Sequence, residues 1–384
     1  MEEQRKSENA LVPALRFEGF SDPWEQRKVG DYLVESRERG SSGDVAKKLT
    51  VKLWGKGVTE KAEISGSAHT QYYVRHAGQF IYSKLDFLNA AFGVIPDNLD
   101  EYESTADLPA FDVSNLDARF LLLKATQRSF YLRYGTIADG SRKAKRIHSE
   151  AFLAMPLFVP DYIEQTRIAN LFARLDSLIA LHQRKHEKLK TVKQSLLEKM
   201  FPKEGEDVPE IRFEGFTDPW EQRKFLELVE RRSRFSNDPA LPRVEYEDIV
   251  SGQGMLNKDV IEKHDKRGGI AFEPGDVLYG KLRPYLQNWL NPQFKGIALG
   301  DFWVLNPTDI SSGFLFVLIR TPTFERVANE STGTKMPRAD WQNVSNTEFS
   351  IPLRKEEQEA IGALFQKLDS LIALHQRERV EACL

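Results

Sequence analysis

The strongest constraint on this chain is an internal repeat. The segment RFEGFSDPWEQRK, Arg16–Lys28, returns 196 residues later as RFEGFTDPWEQRK, Arg212–Lys224, with a single substitution. A second pair, LFARLDSLIALHQRK at Leu171–Lys185 and LFQKLDSLIALHQRE at Leu364–Glu378, repeats the end of the unit. Repeats of this kind decide the architecture before any local assignment is made. The 384 residues therefore predict two copies of one unit, with matching ends around divergent middles and two similar but different surfaces.

Composition predicts a soluble protein of the cytoplasm. With 41% hydrophobic and 29% charged residues, the chain can bury proper cores. The single cysteine, Cys383, excludes a disulfide framework and favours a reducing compartment. No apolar run approaches the roughly 20 residues of a membrane span, and the polar N-terminus is unlike a signal peptide. The net charge of −3 does not indicate nucleic-acid binding. Basic residues gathered on one face can nevertheless bind nucleic acid whatever the net charge of the chain.

Two segments are predicted to form long helices, from Tyr162 to Met200 and from Glu356 to the C-terminus. Their apolar residues follow a seven-residue repeat, which is typical of helices that pack against each other. His182 and His375 occupy matching positions and are interpreted as buried polar residues that fix the register, because two histidines alone make a poor zinc site. The alternative is two amphipathic helices, each lying on its own domain. The predicted coiled-coil and partner-docking residues are Ile168, Leu171, Leu175, Leu178, His182, Leu189, Val192, Leu196, Ile361, Leu364, Leu368, Leu371 and His375.

The remaining segments are rich in aromatic residues, glycine and proline. Short alternating runs such as GQFIYSKL and GDVLYGKL predict strands and turns. The two middles also align with each other, so they share a fold while their surfaces diverge. The predicted division is an N-terminal lead (1–16), a first globular domain (17–160), a central helix (161–207), a second globular domain (208–355) and a C-terminal helix (356–384).

Four motifs together resemble the specificity subunit of type I restriction-modification systems. They are the RFEGFxDPWEQRK opening, GDVLYGKLRP, GTKMPRADW and the helix start EQxxIxxLFxxLDSLIALHQR, and the resemblance covers nearly the whole chain. It implies an α+β fold in which two mixed α/β target recognition domains are separated by two long helices. These helices would form an antiparallel coiled coil within a pseudo-two-fold internal repeat.

The resemblance also implies a function. Each recognition domain would read one half of a bipartite site in double-stranded DNA, while the helices set the spacing and dock two methyltransferase subunits. Restriction and translocase subunits would join through the methyltransferase. A helix of about 40 residues is about 60 Å long, which is enough to carry two heads to major-groove faces about one DNA turn, 34–36 Å, apart.

No catalytic motif stands in the sequence. There is no GxxxxGK[ST], HExxH or CxxC, and Asn291-Pro-Gln-Phe294 lacks the second proline of an amino-methyltransferase motif. We therefore predict that the chain is not an enzyme and holds no cofactor. S-adenosylmethionine, ATP and magnesium are expected in the partner subunits.

Basic residues at matching places in the two heads are the DNA-binding candidates. Lys84 and Lys281 each follow a tyrosine by two residues, where they reach a phosphate or a base edge or are simply solvated. Arg283 aligns with Asp86, a difference of the kind that two different half-sites require. Trp24 and Trp220, present in both copies, are interpreted as structural. The predicted DNA-binding residues are Lys47, Lys48, Lys84, Arg142, Lys143, Lys145, Arg146, Lys281, Arg283, Thr334, Lys335 and Arg338.

Two further expectations concern the ends and the class of the protein. The second helix has no counterpart of residues 191–201, so we expect a shortened C-terminal helix, for which the N-terminal lead partly compensates. The alternative class is a helical scaffold whose two heads bind proteins. Salt separates the classes, because binding through phosphates weakens linearly in log affinity with log salt.

Overall fold

A computed structural model describes residues 12–62, 67–136, 146–261, 266–330 and 336–381 of the chain. The chain divides into two compact units, Met1–Ser177 and Leu178–Leu384. The boundary falls inside a long helix, so each unit consists of one globular head and part of the helical segments. Within the described residues, no helix has the length and apolar character needed to cross a membrane.

Two of the helices are far longer than the rest, and they confirm the predicted pair to within one residue at each described boundary. The helices in chain order are α1 Ala118–Ala125, α2 Arg128–Gly135, α3 Ser149–Leu153, α4 Tyr162–Lys199, α5 Phe225–Leu228, α6 Ser312–Leu318, α7 Pro322–Asn329, α8 Trp341–Asn346 and α9 Lys355–Glu381.

The strands fall between these helices, as the alternating runs predict. Those of the first unit are β1 Glu25–Lys28, β2 Leu33–Ser36, β3 Arg39–Ser42, β4 Leu49–Val51, β5 Val58–Glu60, β6 Gln71–Arg75, β7 Phe80–Tyr82, β8 Phe92–Val94, β9 Tyr102–Ser104, β10 Ala110–Val113 and β11 Pro156–Val159. Those of the second unit are β12 Glu221–Lys224, β13 Val229–Arg232, β14 Phe235–Ser236, β15 Arg243–Val244, β16 Ile249–Val250, β17 Met255–Leu256, β18 Gly269–Phe272, β19 Val277–Gly280, β20 Trp289–Leu290, β21 Gly296–Ala298, β22 Phe302–Pro307 and β23 Glu348–Ile351.

Each unit has the same main sheet and a different set of accessory sheets. The main sheets have the orders β2-β10-β7-β8 and β13-β22-β19-β20, and a two-stranded ribbon stands beside each, β1-β11 and β12-β23. The accessory sheets of the first unit are β3-β6-β9 and β4-β5, whereas those of the second are β14-β18-β21-β15 and β16-β17. The repeated motifs therefore belong to a constant frame, and the divergent sequence builds the accessory strands.

The strands of the GQFIYSKL and GDVLYGKL runs are buried on both faces. Phe80 and Tyr82 lie in one hydrophobic cluster while Ile81 lies in another. In the second unit, Val277 and Tyr279 share one cluster and Leu278 belongs to a second. Both strands are interior to their main sheets, so side chains on either face are covered. Buried strands of this type read as continuous apolar runs.

A buried ion pair ties the repeated opening to the start of each long helix. Arg16 donates from Nε and Nη2 to Glu164 at 2.8 and 2.7 Å, and Arg212 donates in the same way to Glu357 at 2.7 and 2.9 Å. Both glutamate side chains are 1% exposed. Two parallel hydrogen bonds between a guanidinium and a carboxylate fix orientation as well as distance. The opening motif and the helix-start motif recur together because each supplies one partner.

The glutamine after each of these glutamates forms a second repeated link. Gln165 accepts from the backbone N–H of Asp117 at 3.0 Å and donates to the carbonyl of Pro160 at 2.9 Å. Gln358 does the same with Ser311 and Pro352, at 2.8 and 3.0 Å. Since Asp117 and Ser311 are the N-caps of α1 and α6, this amide fixes α1 and α6 to their long helices.

The two repeated tryptophans are packing residues, in agreement with their structural interpretation. Trp220 is 3% exposed and donates from Nε1 to Glu357 at 3.3 Å. Trp24 is half-buried and meets Phe120 edge-on, with ring centroids 5.8 Å apart.

Inside the second unit, α4 and α9 are joined by polar contacts. The Nδ1 atoms of His182 and His375 lie 3.2 Å apart, a hydrogen bond in which one ring donates. Further along α4, Lys193 binds Asp369 at 2.6 Å, and the other Asp369 oxygen accepts from Arg320 at 2.6 Å. Burial lowers the pKa of Lys193, and the charge of Arg320 lowers it further. One carboxylate therefore compensates two largely buried cations.

The side chains at the predicted heptad positions differ in how far they are buried. Residues of α9 at these positions, Ile361 and Leu368, are buried, and Leu189 and Leu196 of α4 pack partly buried against the same core. By contrast, Val192 is exposed, which corrects its placement in the seam, because the polar Lys193 turns inward to Asp369. The other predicted residues divide into the exposed Leu171, Leu175 and Leu178 and the partly buried Ile168, Leu364, Leu371, His182 and His375.

Helix α9 approaches α6 through two glycines. A Cβ added at Gly362 would lie 2.9 Å from the carbonyl carbon of Gly313. In a free helix, alanine in place of glycine stabilises by about 1 kcal/mol. Here we expect Gly362→Ala to lower the free energy of unfolding by about 1–3 kcal/mol, the usual cost of overpacking, as measured by urea denaturation. Ala363→Val, on the exposed side of the same helix, should have little effect, and a more stable Gly362→Ala protein would contradict the close contact.

Asp369→Ala leaves Arg320 and Lys193 without their shared carboxylate. Removing one partner of a buried ion pair costs about 3–5 kcal/mol, so we expect a large fall in the urea midpoint. The matched control is Asp309→Ala, which removes a carboxylate from an exposed pair with Arg223 and should cost at most about 1 kcal/mol. Equal losses in the two variants would mean that Asp369 does not hold the helices.

Candidate nucleic-acid interface

A lysine, an aspartate and an arginine meet at one corner of the first main sheet. Lys84 follows β7, Asp107 precedes β10, and Arg146 precedes α3. The backbone N–H of Lys84 donates to the carbonyl of Asp107 at 2.9 Å, and the guanidinium of Arg146 lies 3.4 Å from the Asp107 carboxylate. The carbonyl of Lys84 accepts from the N–H of Ile147 at 3.0 Å, which fixes the arginine segment beside the strand end. We call Lys84, Asp107 and Arg146 the first corner.

The second unit repeats this arrangement with Lys281, Asp301 and Arg338, which we call the second corner. Lys281 donates its backbone N–H to the carbonyl of Asp301 at 2.9 Å, and its own carbonyl accepts from Ala339 at 2.8 Å. Around the Asp301 carboxylate, the ammonium of Lys281 lies at 3.6 Å and the guanidinium of Arg338 at 3.1 Å. The structure thus brings together candidates that are more than 50 residues apart in each half of the sequence.

Each corner exposes more positive than negative charge. Arg146 and Arg338 are 43% and 60% exposed, and a single aspartate stands against a lysine and an arginine. Exposed ion pairs contribute little to folding. Asp301 therefore orients Lys281 and Arg338, and Asp107 orients Arg146, without binding them strongly, and a phosphate is able to take the place of either carboxylate.

In the second corner, a tyrosine hydroxyl forms two further hydrogen bonds. Burial raises the pKa of Tyr246 to about 12, so its hydroxyl stays protonated and donates to the carbonyl of Asp301 at 2.6 Å. The same oxygen accepts from the N–H of Leu282 at 3.2 Å. Asp107, Asp301 and Tyr246 are absent from the sequence-based candidates. An acidic residue just before a strand in both copies was the available signal, but only the folded strand order places it beside the lysine.

The remaining candidates lie in different environments. Lys47 is exposed, whereas Lys48 is buried and its ammonium lies 5.7 Å from the centre of the Tyr72 ring. Arg283 has a left-handed backbone, φ +51°, and its N–H donates to the carbonyl of Pro337 at 2.7 Å. The Arg283 Nε is buried without a hydrogen-bond partner among the described residues. Arg142, Lys143, Lys145, Thr334 and Lys335 lie outside the described residues.

One group of carboxylates in the described ranges has the spacing of metal ligands. Oxygens of Glu245, Glu247 and Asp248 lie within 4.8 Å of one another. Asp248 is already 2.8 Å from the ammonium of Lys258, and it accepts from the backbone N–H of Glu245 at 2.9 Å. These contacts account for the cluster as a structural one.

Comparison with known proteins gives one consistent class. No protein-family model matches the chain. Among curated proteins, the type I restriction enzyme EcoDI specificity subunit of Escherichia coli is 21% identical over 170 residues, which is 42% of this chain and 38% of that protein. The match thus spans well under two thirds of that relative.

Among solved structures, the S subunit of a type I restriction-modification system from M. genitalium matches with a TM-score of 0.53 and 12% identity, covering 97% of this chain and 96% of that one. The HsdS subunit from Thermoanaerobacter tengcongensis has a TM-score of 0.44 and 15% identity, over 95% and 94% of the two chains. The first of these likenesses shows a common fold and no more. The curated relative confirms the resemblance to type I specificity subunits that the repeated motifs indicate.

The second corner allows a test with a charge-matched control. Asp301→Asn should free Lys281 and Arg338, so we expect the variant to elute from heparin at higher salt, by an amount on the order of one additional ion contact. Asp309→Asn removes the same charge beside Arg223, away from the corner. If the elution salt rises equally in the two variants, heparin binding depends only on the net charge of the protein.

Proposed function

We propose that this chain is a non-catalytic subunit that gives a type I restriction-modification complex its DNA sequence specificity. Each head reads one half of a bipartite site in double-stranded DNA. The single observation that carries the proposal is the recurrence of the lysine–aspartate–arginine corner on the same main sheet in two heads whose accessory sheets differ. Basic side chains position a protein on phosphates, and sequence is read by groups that differ from site to site.

The long helices serve as spacer and docking platform in this proposal. The histidine contact and the Asp369 ion pairs support an antiparallel coiled coil within a pseudo-two-fold repeat. The exposed Leu171, Leu175 and Leu178 offer an apolar row on α4 for methyltransferase subunits. The five-part division at residues 16, 160, 207 and 355 belongs to the same proposal, with each head as one recognition domain.

Methylation, ATP hydrolysis and cleavage reside in partner subunits in this proposal. S-adenosylmethionine, ATP and magnesium would bind those partners, and restriction subunits would join through the methyltransferase. The work of this chain is to hold two sets of side chains at a fixed separation against DNA in the cytoplasm.

The decisive experiment is a methylome. This chain is expressed with its methyltransferase subunit in a host free of adenine methylation, and modified bases are located by sequencing. We expect methylated adenine in a split motif, two short sequences with a constant gap. If both proteins are soluble and co-purify while no new methylation is found, the proposal is wrong.

The two corners should contribute separately to binding. In the assembled complex, Lys281→Gln with Arg338→Gln should lower affinity for every duplex and reduce the slope of log affinity against log salt by about 1 per phosphate contact. Lys84→Gln with Arg146→Gln should act in the same way through the other head. The control pair, Lys188→Gln with Lys190→Gln on the exposed face of α4, should leave the slope unchanged. If neither double variant changes the slope of log affinity against log salt, the phosphate contacts lie elsewhere.

A further inference from the structure

A short hairpin with a common frame lies beside the corner in each head. The tip that joins β4 to β5 contains Trp54-Gly-Lys56-Gly57, and the tip that joins β16 to β17 contains Ser251-Gly-Gln253-Gly254. All four glycines have positive φ, +64° and +88° in the first tip and +72° and +67° in the second. This backbone region favours glycine because it has no Cβ. The two tips therefore share a pair of left-handed glycines with one residue between them, and they differ in that residue and in the residue before the pair.

Each tip is held by the loop that carries the corner lysine. In the first head, Trp54 and Gly55 donate their N–H groups to the carbonyls of Asn89 and Ala90, both at 2.8 Å. In the second, Gly252 donates to the carbonyl of Gln287 at 3.0 Å, and the hydroxyl of Ser251 donates to the carbonyl of Leu286. The loops begin at Lys84 and Lys281, so tip and corner are parts of one rigidly connected surface in each head.

Trp54 occupies an unusual conformation for its size. Its φ is +60°, a region that bulky side chains rarely adopt, whereas Ser251 at the matching position is not among the residues with positive φ. The indole is 56% exposed, and its one aromatic contact is an edge-on approach to Tyr131, with centroids 6.5 Å apart. A strained backbone that presents an aromatic ring to solvent stabilises nothing evident in the fold, and such strain gathers at functional positions.

The charge around the indole is positive. Lys52 and Lys56 flank Trp54 in the tip, and both side chains are exposed. In the part of the chain that the structure describes, neither ammonium forms an ion pair with a carboxylate. Alternating cations and an exposed aromatic ring are the combination that binds nucleic acid by phosphate contact and base stacking.

We propose that the hairpin tips are base-contacting elements and that Trp54 inserts its ring at a base step of the duplex, where it stacks on a nucleobase in the half-site of the first head. The inference rests on the proposed DNA-specificity function and deepens it by naming a contact and its mode. The second head has Ser251 and Gln253 at the matching positions, so it uses hydrogen bonds where the first uses an aromatic face. A constant frame with different side chains is what two different half-sites require.

The other possible occupant of this tip is a protein partner. DNA is favoured because Trp54 lies between two lysines that form no ion pair among the described residues, and because its tip is hydrogen-bonded to the loop that follows Lys84. Binding of a protein partner at this tip is therefore one of the outcomes of the test.

The test replaces Trp54 with the residue that the same hairpin carries in the second head. The Trp54→Ser variant is assembled with the methyltransferase subunit, and its affinity is measured on a labelled duplex carrying both half-sites found in the methylome. We expect affinity to fall roughly 5- to 150-fold, the range for loss of one base–aromatic stack. Thermal stability should change little, because serine keeps the Cβ at this left-handed position and the exposed indole packs only edge-on against Tyr131.

Two variants serve as controls. Leu53→Val copies the second head at the neighbouring exposed position and should leave affinity unchanged. Trp54→Phe keeps an aromatic face and should retain most of the affinity. If the serine variant does not fold, Trp54→Gly, which suits the positive φ, replaces it as the test. On a duplex whose first half-site is scrambled, wild type and Trp54→Ser should bind alike.

The outcomes separate this inference from the function on which it rests. If wild type binds a bipartite site and Trp54→Ser binds it equally well, the stacking inference is overturned and the proposed function stands. If Trp54→Ser instead loses the methyltransferase subunit during co-purification, the tip is a protein contact and the inference is again overturned. If wild type shows no sequence preference at all, the proposed function itself fails.

Discussion

The buried ion pair between the opening arginine and the helix-start glutamate is the contact on which each head depends. Arg16 with Glu164, and Arg212 with Glu357, join the first residues of a head to the helix that follows it. Because the glutamates are almost fully buried, their charge has no alternative partner in solvent, and the geometry is fixed by two hydrogen bonds. The neighbouring glutamine links the same helix turn to α1 in the first head and to α6 in the second. Each head is therefore joined to the long helix that follows it by two contacts, one from its opening segment and one from α1 or α6.

These contacts explain why the surface is free to vary. The main sheet, the ribbon and the helix start hold the position of each corner, while the accessory strands and the hairpin tips carry no part of that frame. In the second head Tyr246 donates a hydrogen bond to the corner aspartate, and in the first Trp54 lies in the tip that is bonded to the loop after Lys84. Two heads of one architecture thereby present different side chains on a common frame.

Sequence periodicity succeeded for the extent of the long helices and failed for part of their packing. The heptad pattern placed Val192 inward, but Lys193 is the residue that turns inward, since Asp369 and Arg320 give it charged partners there. Likewise, Lys48 was a reasonable surface candidate, yet it lies buried against Tyr72. Apolar spacing does not reveal that a lysine stem will be buried, because that depends on a partner distant in sequence.

The sequence by itself determined the duplication, the two long helices, the alternation of heads and helices, and the basic residues that end the central strands. These follow from local pattern and from near-identity between the copies, neither of which requires knowledge of long-range contacts. Tertiary structure alone decided that Asp301 lies between Lys281 and Arg338, that Asp107 pairs with Arg146 beside Lys84, and that the hairpin tips are hydrogen-bonded to the loops that follow the two lysines. The reason is physical: strand order and backbone hydrogen bonds bring together residues far apart in the chain, and these contacts leave no periodic trace in the sequence.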